Sequence, residues 1–106
     1  MDKKIISTEK APQAIGPYSQ AIVANGFLFT SGMVPIDPAT NQLVEGDITV
    51  QAKQAISNLK NLIEASGSSC DKVVKTTVFI KDMNQFSIIT IFTKNISTKI
   101  SLHVLV

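Results

Sequence analysis

The sequence contains no arginine and no tryptophan, and it has one tyrosine, one histidine and one cysteine. A single cysteine cannot form a disulfide within the chain, and it cannot supply a cysteine cluster for a metal ion. The ten basic residues are all lysines, scattered along a chain of net charge +2. No basic stripe of the kind that binds nucleic acid is present. The lack of arginine also removes the side chain that best clamps a carboxylate or phosphate.

Long apolar runs are missing as well. No run approaches the ~20 residues needed to span a bilayer, and the first ten residues, in which charges alternate with short apolar pairs, do not resemble a signal peptide. These features predict a cytoplasmic protein with no membrane partner. A chain of 106 residues with 44% hydrophobic and 17% charged residues is typical of one globular domain. We therefore expect residues 1–106 to form a single domain.

The apolar pattern predicts an α+β fold with elements in the order β-β-β-α-β-α. Residues 3–7 predict a short edge strand. Asn25-Gly26 lies between the β-prone runs 18–24 and 27–31, which indicates a type I′ hairpin because both turn residues need positive φ. Such an order is typical of a mostly antiparallel sheet with two helices on one face.

A long loop at residues 32–47 and then a helix are predicted next. Asp47 is the expected N-cap of this helix, and Gly67 is the expected stop. Its buried face is predicted from apolar residues at helical spacing: Ile48, Ala52, Ala55, Ile56, Leu59, Leu62 and Ile63. Its water-facing side is assigned to Gln51, Lys53, Gln54, Asn58, Lys60 and Asn61.

The last third of the chain changes in composition. Residues 72–81 are rich in β-branched side chains and predict a strand, followed by a helix capped by Asp82 or Asn84. The apolar residues of that helix keep helical spacing to the end: Phe86, Ile89, Phe92, Ile96 and Ile100. Yet residues 87–106 contain no Gly, Pro, Ala, Asp or Glu, and are dense in Ile and Thr, which form helices poorly. The alternation in residues 101–106 also favours a short final strand.

Few residues carry obvious chemistry. His103 has no His, Cys or carboxylate near it in the sequence, and Cys70 has no evident base partner, so both are expected to be structural. The eight carboxylates include no close pair that indicates an acid–base couple. Tyr18, after a Gly-Pro turn, and Ser31-Gly32, at a strand end, are better candidates for a small-molecule site. From the residues alone, a packing role for Tyr18 is at least as well supported.

Four segments together resemble the RidA (YjgF) family: "APQAIGPYSQAI", "FLFTSGMVPIDPATNQLV", "QAKQAISNLKNLIEASG" and "VVKTTVFIKDMNQF". The resemblance extends from about Ile5 to Phe86. It implies a chorismate-mutase-like α+β subunit that assembles as a homotrimer, with substrate clefts between subunits. It also implies hydrolysis of reactive enamines and imines, such as 2-aminoacrylate and 2-iminobutanoate, to 2-keto acids and ammonia. Neither a metal nor an organic cofactor is implied.

The resemblance implies catalytic roles for Tyr18 and Ser31 and substrate-binding roles for Gly32 and Thr90, which stands where the family has an asparagine. It ends after Phe86. The family continues with "PARSCVEV", whose arginine grips the substrate carboxylate, and with a late glutamate that positions water. This chain has no arginine, and it has no glutamate after Glu64.

The unusual tail has a specific interpretation. Codons can be chosen for residues 91–106 so that another frame of the same DNA encodes "IYQKYFNKNQPARSCV". With one base restored near Thr90, the chain continues as "QFSIINNIYQKYFNKNQPARSCV", which resembles the family throughout. We therefore expect that a single-base deletion scrambled residues 87–106 and removed the final family strands. A genuinely divergent ending is the alternative.

Three functions stay open at this stage. The first is an imine deaminase, impaired in this chain because the arginine and the glutamate are missing. The second is a non-enzymatic binder of small 2-keto or 2-imino acids in the same cleft. The third is a ribonuclease or translation inhibitor, which the lone histidine and low net charge disfavour because RNA cleavage usually requires paired titrating groups.

Overall fold

A computed structural model describes residues 2–93 and 100–104. The strands and helices are β1 (Lys3–Ile6), β2 (Ala21–Ala24), β3 (Phe27–Thr30), β4 (Ile36–Asp37), β5 (Gln42–Leu43), α1 (Ile48–Ala65), β6 (Thr76–Ile80), α2 (Phe86–Thr93) and β7 (Ile100–Val104). Short 3₁₀ turns at Cys70–Lys72 and Met83–Gln85 precede β6 and α2. The fold is α+β with two helices, as the sequence predicts.

Strands β1, β2 and β3 form an antiparallel sheet in that order. The β2–β3 turn has Asn25 at φ 53° and Gly26 at φ 80°, which confirms the predicted hairpin with positive φ at both residues. Strand β2 begins at Ala21, so Tyr18 lies in the bend before the strand. The first strand is an edge strand, as predicted.

The predicted long loop contains a small hairpin that the sequence pattern did not indicate. Strands β4 and β5 pair in antiparallel register, Ile36 with Leu43 and Asp37 with Gln42. Asn41 turns the chain at φ 58°, and the Asp37 carboxylate accepts a hydrogen bond from the Ala39 N–H at 2.9 Å. Two-residue strands are too short to show an alternating pattern, so this hairpin was missed.

Helix α1 has the predicted ends. The Asp47 carboxylate accepts a hydrogen bond from the Val50 N–H at 3.2 Å, and Gly67 follows the helix at φ 85°. The assignment of Asn58 to the water-facing side is wrong, because Asn58 is fully buried. Its carboxamide is hydrogen-bonded at both ends, which makes its burial possible.

The last part of the chain departs further from the prediction. Strand β6 begins at Thr76, later than predicted, because the 3₁₀ turn at Cys70–Lys72 occupies the start of the segment. Ile100 belongs to β7 and not to a helix, so the extension of the helical pattern to Ile100 is wrong; Ile96 lies outside the described residues. Strand β7 pairs with β6 in parallel, and this partner overrides the helical spacing.

Two hydrophobic clusters lie on the two halves of α1. The first, called the sheet cluster, contains Ile6, Ala11, Ala21 and Leu62. The second, called the C-terminal cluster, contains Ala52, Ile80 and Ile89. Because α1 contributes Leu62 to one and Ala52 to the other, this helix joins the β1–β3 sheet to β6 and α2. In the part of the chain that the structure describes, no helix has the length and apolarity needed to cross a membrane.

Candidate functional site

Tyr18 sits in a tight bend just before β2. Its N–H donates to the Gly16 carbonyl at 2.9 Å, and Gly16 has φ 98°, a conformation that favours glycine. The side chain is 52% exposed, and its hydroxyl has no hydrogen-bond partner among the described residues. The phenol is therefore open to a ligand.

Ser31 lies at the end of β3 and is bonded to the strand beside it. Its hydroxyl donates to the Ser19 carbonyl at 2.5 Å, and its N–H donates to the Gln20 carbonyl at 2.9 Å. A serine hydroxyl has one hydrogen and two acceptor lone pairs. Since the hydrogen is already used, Ser31 offers a ligand an acceptor, and in this arrangement it is not an activated nucleophile.

Two adjoining cavities meet at Tyr18. One is an open groove of about 390 Å³ bordered by Tyr18, Phe29, Thr30 and Ser31, called here the Ser31 groove. The other is a smaller cavity of about 110 Å³ bordered by Pro12, Tyr18, Gln20 and Gly32, among others, called here the Gly32 cavity. A side chain added at Gly32 would meet no atom within 4 Å, so its backbone is also accessible.

The structure thus brings Tyr18, Ser31 and Gly32 together, but it does not bring Thr90 to them. Thr90 lies on α2, and its hydroxyl donates to the Phe86 carbonyl of the preceding turn at 3.0 Å. It borders neither cavity. The role implied for Thr90 has no support from the geometry of a single chain.

The lining of both cavities carries little charge. Tyr18 is the one titratable side chain among the described residues that border them. No three residues of the types His, Cys, Asp and Glu lie close enough to share a metal ion within residues 2–93 and 100–104. What the site offers is a phenol, a hydroxyl acceptor, open backbone and apolar walls.

Cys70 lies away from the two cavities, at the 3₁₀ turn before β6. Burial, with a smaller contribution from Glu64, raises the pKa of its thiol. A hydrogen bond from the Ser69 hydroxyl lowers the pKa of the neighbouring Asp71 carboxyl. A raised thiol pKa disfavours the thiolate, which supports the structural assignment of Cys70.

Two buried carboxamides near the site escaped the sequence analysis. Gln20 binds the loop at Thr8–Pro12, and Asn58 donates to the carbonyls of Val34 and Ile36 at 3.1 and 2.7 Å. Both hold segments that border the Gly32 cavity. One signal was available: Asn58 is four residues before Leu62, on the same helix face as that core residue. No comparable signal marks Gln20.

Comparison with known proteins identifies the family. The endoribonuclease L-PSP family model matches residues 8–105. A RutC family protein of Pyrococcus abyssi is 52% identical over 87 residues, covering 82% of this chain and 68% of that protein. The 2-iminobutanoate/2-iminopropanoate deaminase of Mus musculus is 50% identical over 84 residues, covering 79% of this chain and 62% of that protein.

Solved structures agree with the family match. A crystal structure of the Rid family protein YyfA from Yersinia pestis superposes with a TM-score of 0.90 at 39% identity, covering 97% of this chain and 86% of that chain. The crystal structure of E. coli TdcF with bound serine has a TM-score of 0.81 at 37% identity, covering 96% and 84%. These matches in sequence and fold show that the chain belongs to the endoribonuclease L-PSP family, which is the RidA family that its motifs resemble.

Proposed function

We propose that the site at Tyr18 binds small 2-imino and 2-keto acids, and that the reaction it serves is the hydrolytic deamination of reactive enamines and imines. The observation that carries this proposal is the meeting of Tyr18, Ser31 and Gly32 at two small adjoining cavities. A relative that is 50% identical is named 2-iminobutanoate/2-iminopropanoate deaminase, and a related structure holds serine, a molecule of similar size.

The proposed reaction needs no redox step. Water adds to the carbon of the C=N bond, and one of its protons moves to nitrogen to give a carbinolamine. The second proton then moves from oxygen to nitrogen as the C–N bond breaks, which leaves a 2-keto acid and ammonia. The free lone pairs of Ser31 Oγ suit an N–H of the iminium group or an O–H of the water. The Tyr18 hydroxyl, which has no partner among the described residues, can donate to a substrate oxygen.

This chain is proposed to be a weak enzyme. The substrates carry a carboxylate, for which a bidentate arginine is the natural clamp, and the chain has no arginine. Losing such an oriented charged contact costs roughly 2–4 kcal/mol in the transition state, on the order of a hundredfold in rate. Losing a positioned base costs a further ~10²–10⁴-fold. A binder of 2-keto acids is therefore the second candidate function.

The decisive experiment compares this chain with a variant whose reading frame is restored after Ile89. Ammonia release from 2-iminobutanoate is measured for both. We expect at least a hundredfold higher turnover in the restored form. Equal activity would show that the roles given to the missing arginine and glutamate are wrong. A restored form that neither turns over nor assembles would refute the frameshift interpretation.

Tyr18→Phe separates binding from packing. We expect weaker binding of 2-oxobutanoate, with a change in unfolding free energy within about 0.5 kcal/mol because the hydroxyl has no partner to lose. Calorimetric titration and urea denaturation measure the two quantities. A large loss of stability with unchanged binding would favour the packing role.

The ribonuclease alternative is tested in parallel. General acid–base cleavage of RNA needs two positioned titrating groups, and Tyr18 is the one such group among the described residues at the two cavities. Incubation with single-stranded RNA should therefore leave the RNA intact. Cleavage that disappears in Tyr18→Phe would overturn the deaminase proposal in favour of a nuclease.

A homotrimer is part of the proposal. The outer face of the β1–β3 sheet is apolar and open, with Ile5 63% and Phe29 62% exposed and lying in one cross-strand row with Ile22. Such a face favours burial between copies of the chain, and the family resemblance selects a trimer.

Light scattering is expected to show a trimer that Phe29→Lys disrupts. Val74→Lys, at an exposed site that both forms of the chain contain, is the matched control. A stable monomer of the frame-restored form would contradict this part.

A further inference from the structure

We propose that Gln20 is a positioning residue whose buried carboxamide holds the bend carrying Tyr18 and, with it, one wall of the Gly32 cavity. The effect of Gln20 on the position of Tyr18 does not depend on which ligand the site binds. Its consequence for the affinity of 2-keto acids rests on the function proposed above.

The Gln20 side chain replaces a strand partner. It is only 2% exposed, and its Oε1 accepts from the Thr8 N–H at 2.7 Å while its Nε2 donates to the Thr8 carbonyl at 3.0 Å. Strand β1 ends at Ile6, paired with Ala21. Gln20 thus satisfies both backbone groups of Thr8 just beyond the end of the β1–β2 ladder, where none of the described strands pairs with Thr8.

The same amide also binds the loop that follows Thr8. Nε2 donates to the Pro12 carbonyl at 2.7 Å, with a longer contact to the Ala11 carbonyl at 3.3 Å. Pro12, Tyr18 and Gln20 border the same cavity. One side chain therefore sets the distance between the loop at residues 8–12 and the bend at residues 16–20.

Tyr18 depends on this arrangement because its own contacts are few. Ser31 holds the carbonyls of Ser19 and Gln20, which anchors the segment to β3 on one side. Gln20 anchors it to the Thr8–Pro12 loop on the other side. Between them, Tyr18 has a single backbone bond to Gly16, and its hydroxyl has no partner among the described residues. Loss of the Gln20 bonds should therefore free the Tyr18 ring more than it alters the rest of the sheet.

The chain contains its own reporter. Tyr18 is the one tyrosine and no tryptophan is present, so the intrinsic emission comes from Tyr18. The experiment measures the anisotropy of this emission and its quenching by acrylamide in the unmodified chain, Gln20→Leu and Gln20→Glu. Gln20→Glu keeps the side-chain size and the oxygen that accepts from the Thr8 N–H, but it loses both N–H donors of the amide. If Gln20→Leu does not fold, the same measurement is made on Gln20→Glu.

Asn58→Leu is the matched control. Asn58 is an equally buried carboxamide that donates to two carbonyls, those of Val34 and Ile36, but it does not contact the bend that carries Tyr18. Both kinds of variant should lose stability. Only the Gln20 variants should lower the anisotropy and raise the quenching in the folded state.

The outcomes decide between positioning and general loosening. If the fraction of chains with Tyr18 in place falls to about one tenth, the affinity for 2-oxobutanoate falls about tenfold. Unchanged emission in both Gln20 variants, or an equal change in Asn58→Leu, would overturn the proposal. If the emission changes as expected while the unmodified chain binds no 2-oxobutanoate, the positioning role stands and the proposed function fails.

Discussion

In the site-bearing part of the molecule, polar side chains that reach across the sequence add to strand pairing and to the sheet cluster, whereas around β6 and α2 the side chains of Asp82 and Thr90 bond within their own turns. In the first part, Gln20 binds Thr8 and Asn58 binds Val34, with sequence separations of 12 and 24 residues. In the second part, Asp82 bonds to Asn84 and Thr90 to Phe86, each within its own turn. Ile80 and Ile89 pack there on Ala52.

This difference shows why fold and chemistry can separate in one chain. Strand pairing and apolar packing accept many residue types, so the sequence ISLHV can supply β7 beside β6. A buried carboxamide bond, as at Gln20 and Asn58, requires a particular side chain in a particular place. The site-bearing part should thus be the less tolerant of substitution.

The largest effect is expected for the sheet cluster. Leu62→Ala removes a fully buried side chain that packs with Ile6, Ala11 and Ala21. Ile6 and Ala21 lie on paired strands, and Ala11 lies on a loop. Because these elements cannot all move into the cavity left by Leu62, the unfolding free energy should fall by about 3–4 kcal/mol. Urea denaturation followed by Tyr18 emission measures it. A loss of unfolding free energy below about 1 kcal/mol would contradict the prediction that the sheet cluster contributes most to stability.

A smaller effect is expected for the C-terminal cluster. Ile89→Ala should cost about 2–3 kcal/mol, since Ile89 is buried in a cluster with Ala52 and Ile80, against which the half-buried Ile48 and Val78 also pack. The folded-state anisotropy of Tyr18 should not change, because this cluster is separate from the one beneath the site. A change in that anisotropy would show that the two regions are coupled and do not respond separately to substitution.

Two glycines provide a matched pair. Gly46 has φ 139°, and a Cβ added there would lie 2.9 Å from Val50 Cβ, whereas Gly26 has φ 80° and open space around it. Gly26→Ala should cost about 1 kcal/mol, the price of a left-handed alanine, and Gly46→Ala should cost about 2–3 kcal/mol because crowding adds to strain. Thermal or urea denaturation compares them. Equal losses would mean that Val50 moves aside freely.

The smallest effect concerns Cys70. Since burial raises the pKa of this thiol above its ordinary value, folding favours the protonated form. This preference stabilises the folded chain fully at pH values below the pKa that the thiol has in the unfolded chain. The stabilisation is lost as the pH rises through the higher pKa of the folded chain. Alkylation by iodoacetamide at pH 8 should therefore be slower in the folded chain than in urea. Faster reaction in the folded chain would contradict the assignment of Cys70 as a structural residue.

Local rules account for what was predicted correctly. Asn25-Gly26, Asp47 and Gly67 act within four residues of themselves, through positive φ or a cap. The functional roles of Tyr18 and Ser31 stay predictions, and the β2–β3 hairpin lets both residues border one groove. Asn58 was assigned to the water-facing side because its side chain is polar, although its amide donates to two carbonyls more than twenty residues away in the sequence.

The sequence by itself determined the fold class, the hairpin and the ends of α1, because each depends on the apolar pattern or on neighbours along the chain. Only the tertiary structure decided that Gln20 and Asn58 are buried and that Thr90 stands apart from the two cavities. It also decided that Ile100 joins a strand beside β6 and does not continue a helix. These features depend on backbone groups and strands that are distant in the sequence. Local preferences do not decide which of these groups a residue will contact, because the contact forms only when the chain packs.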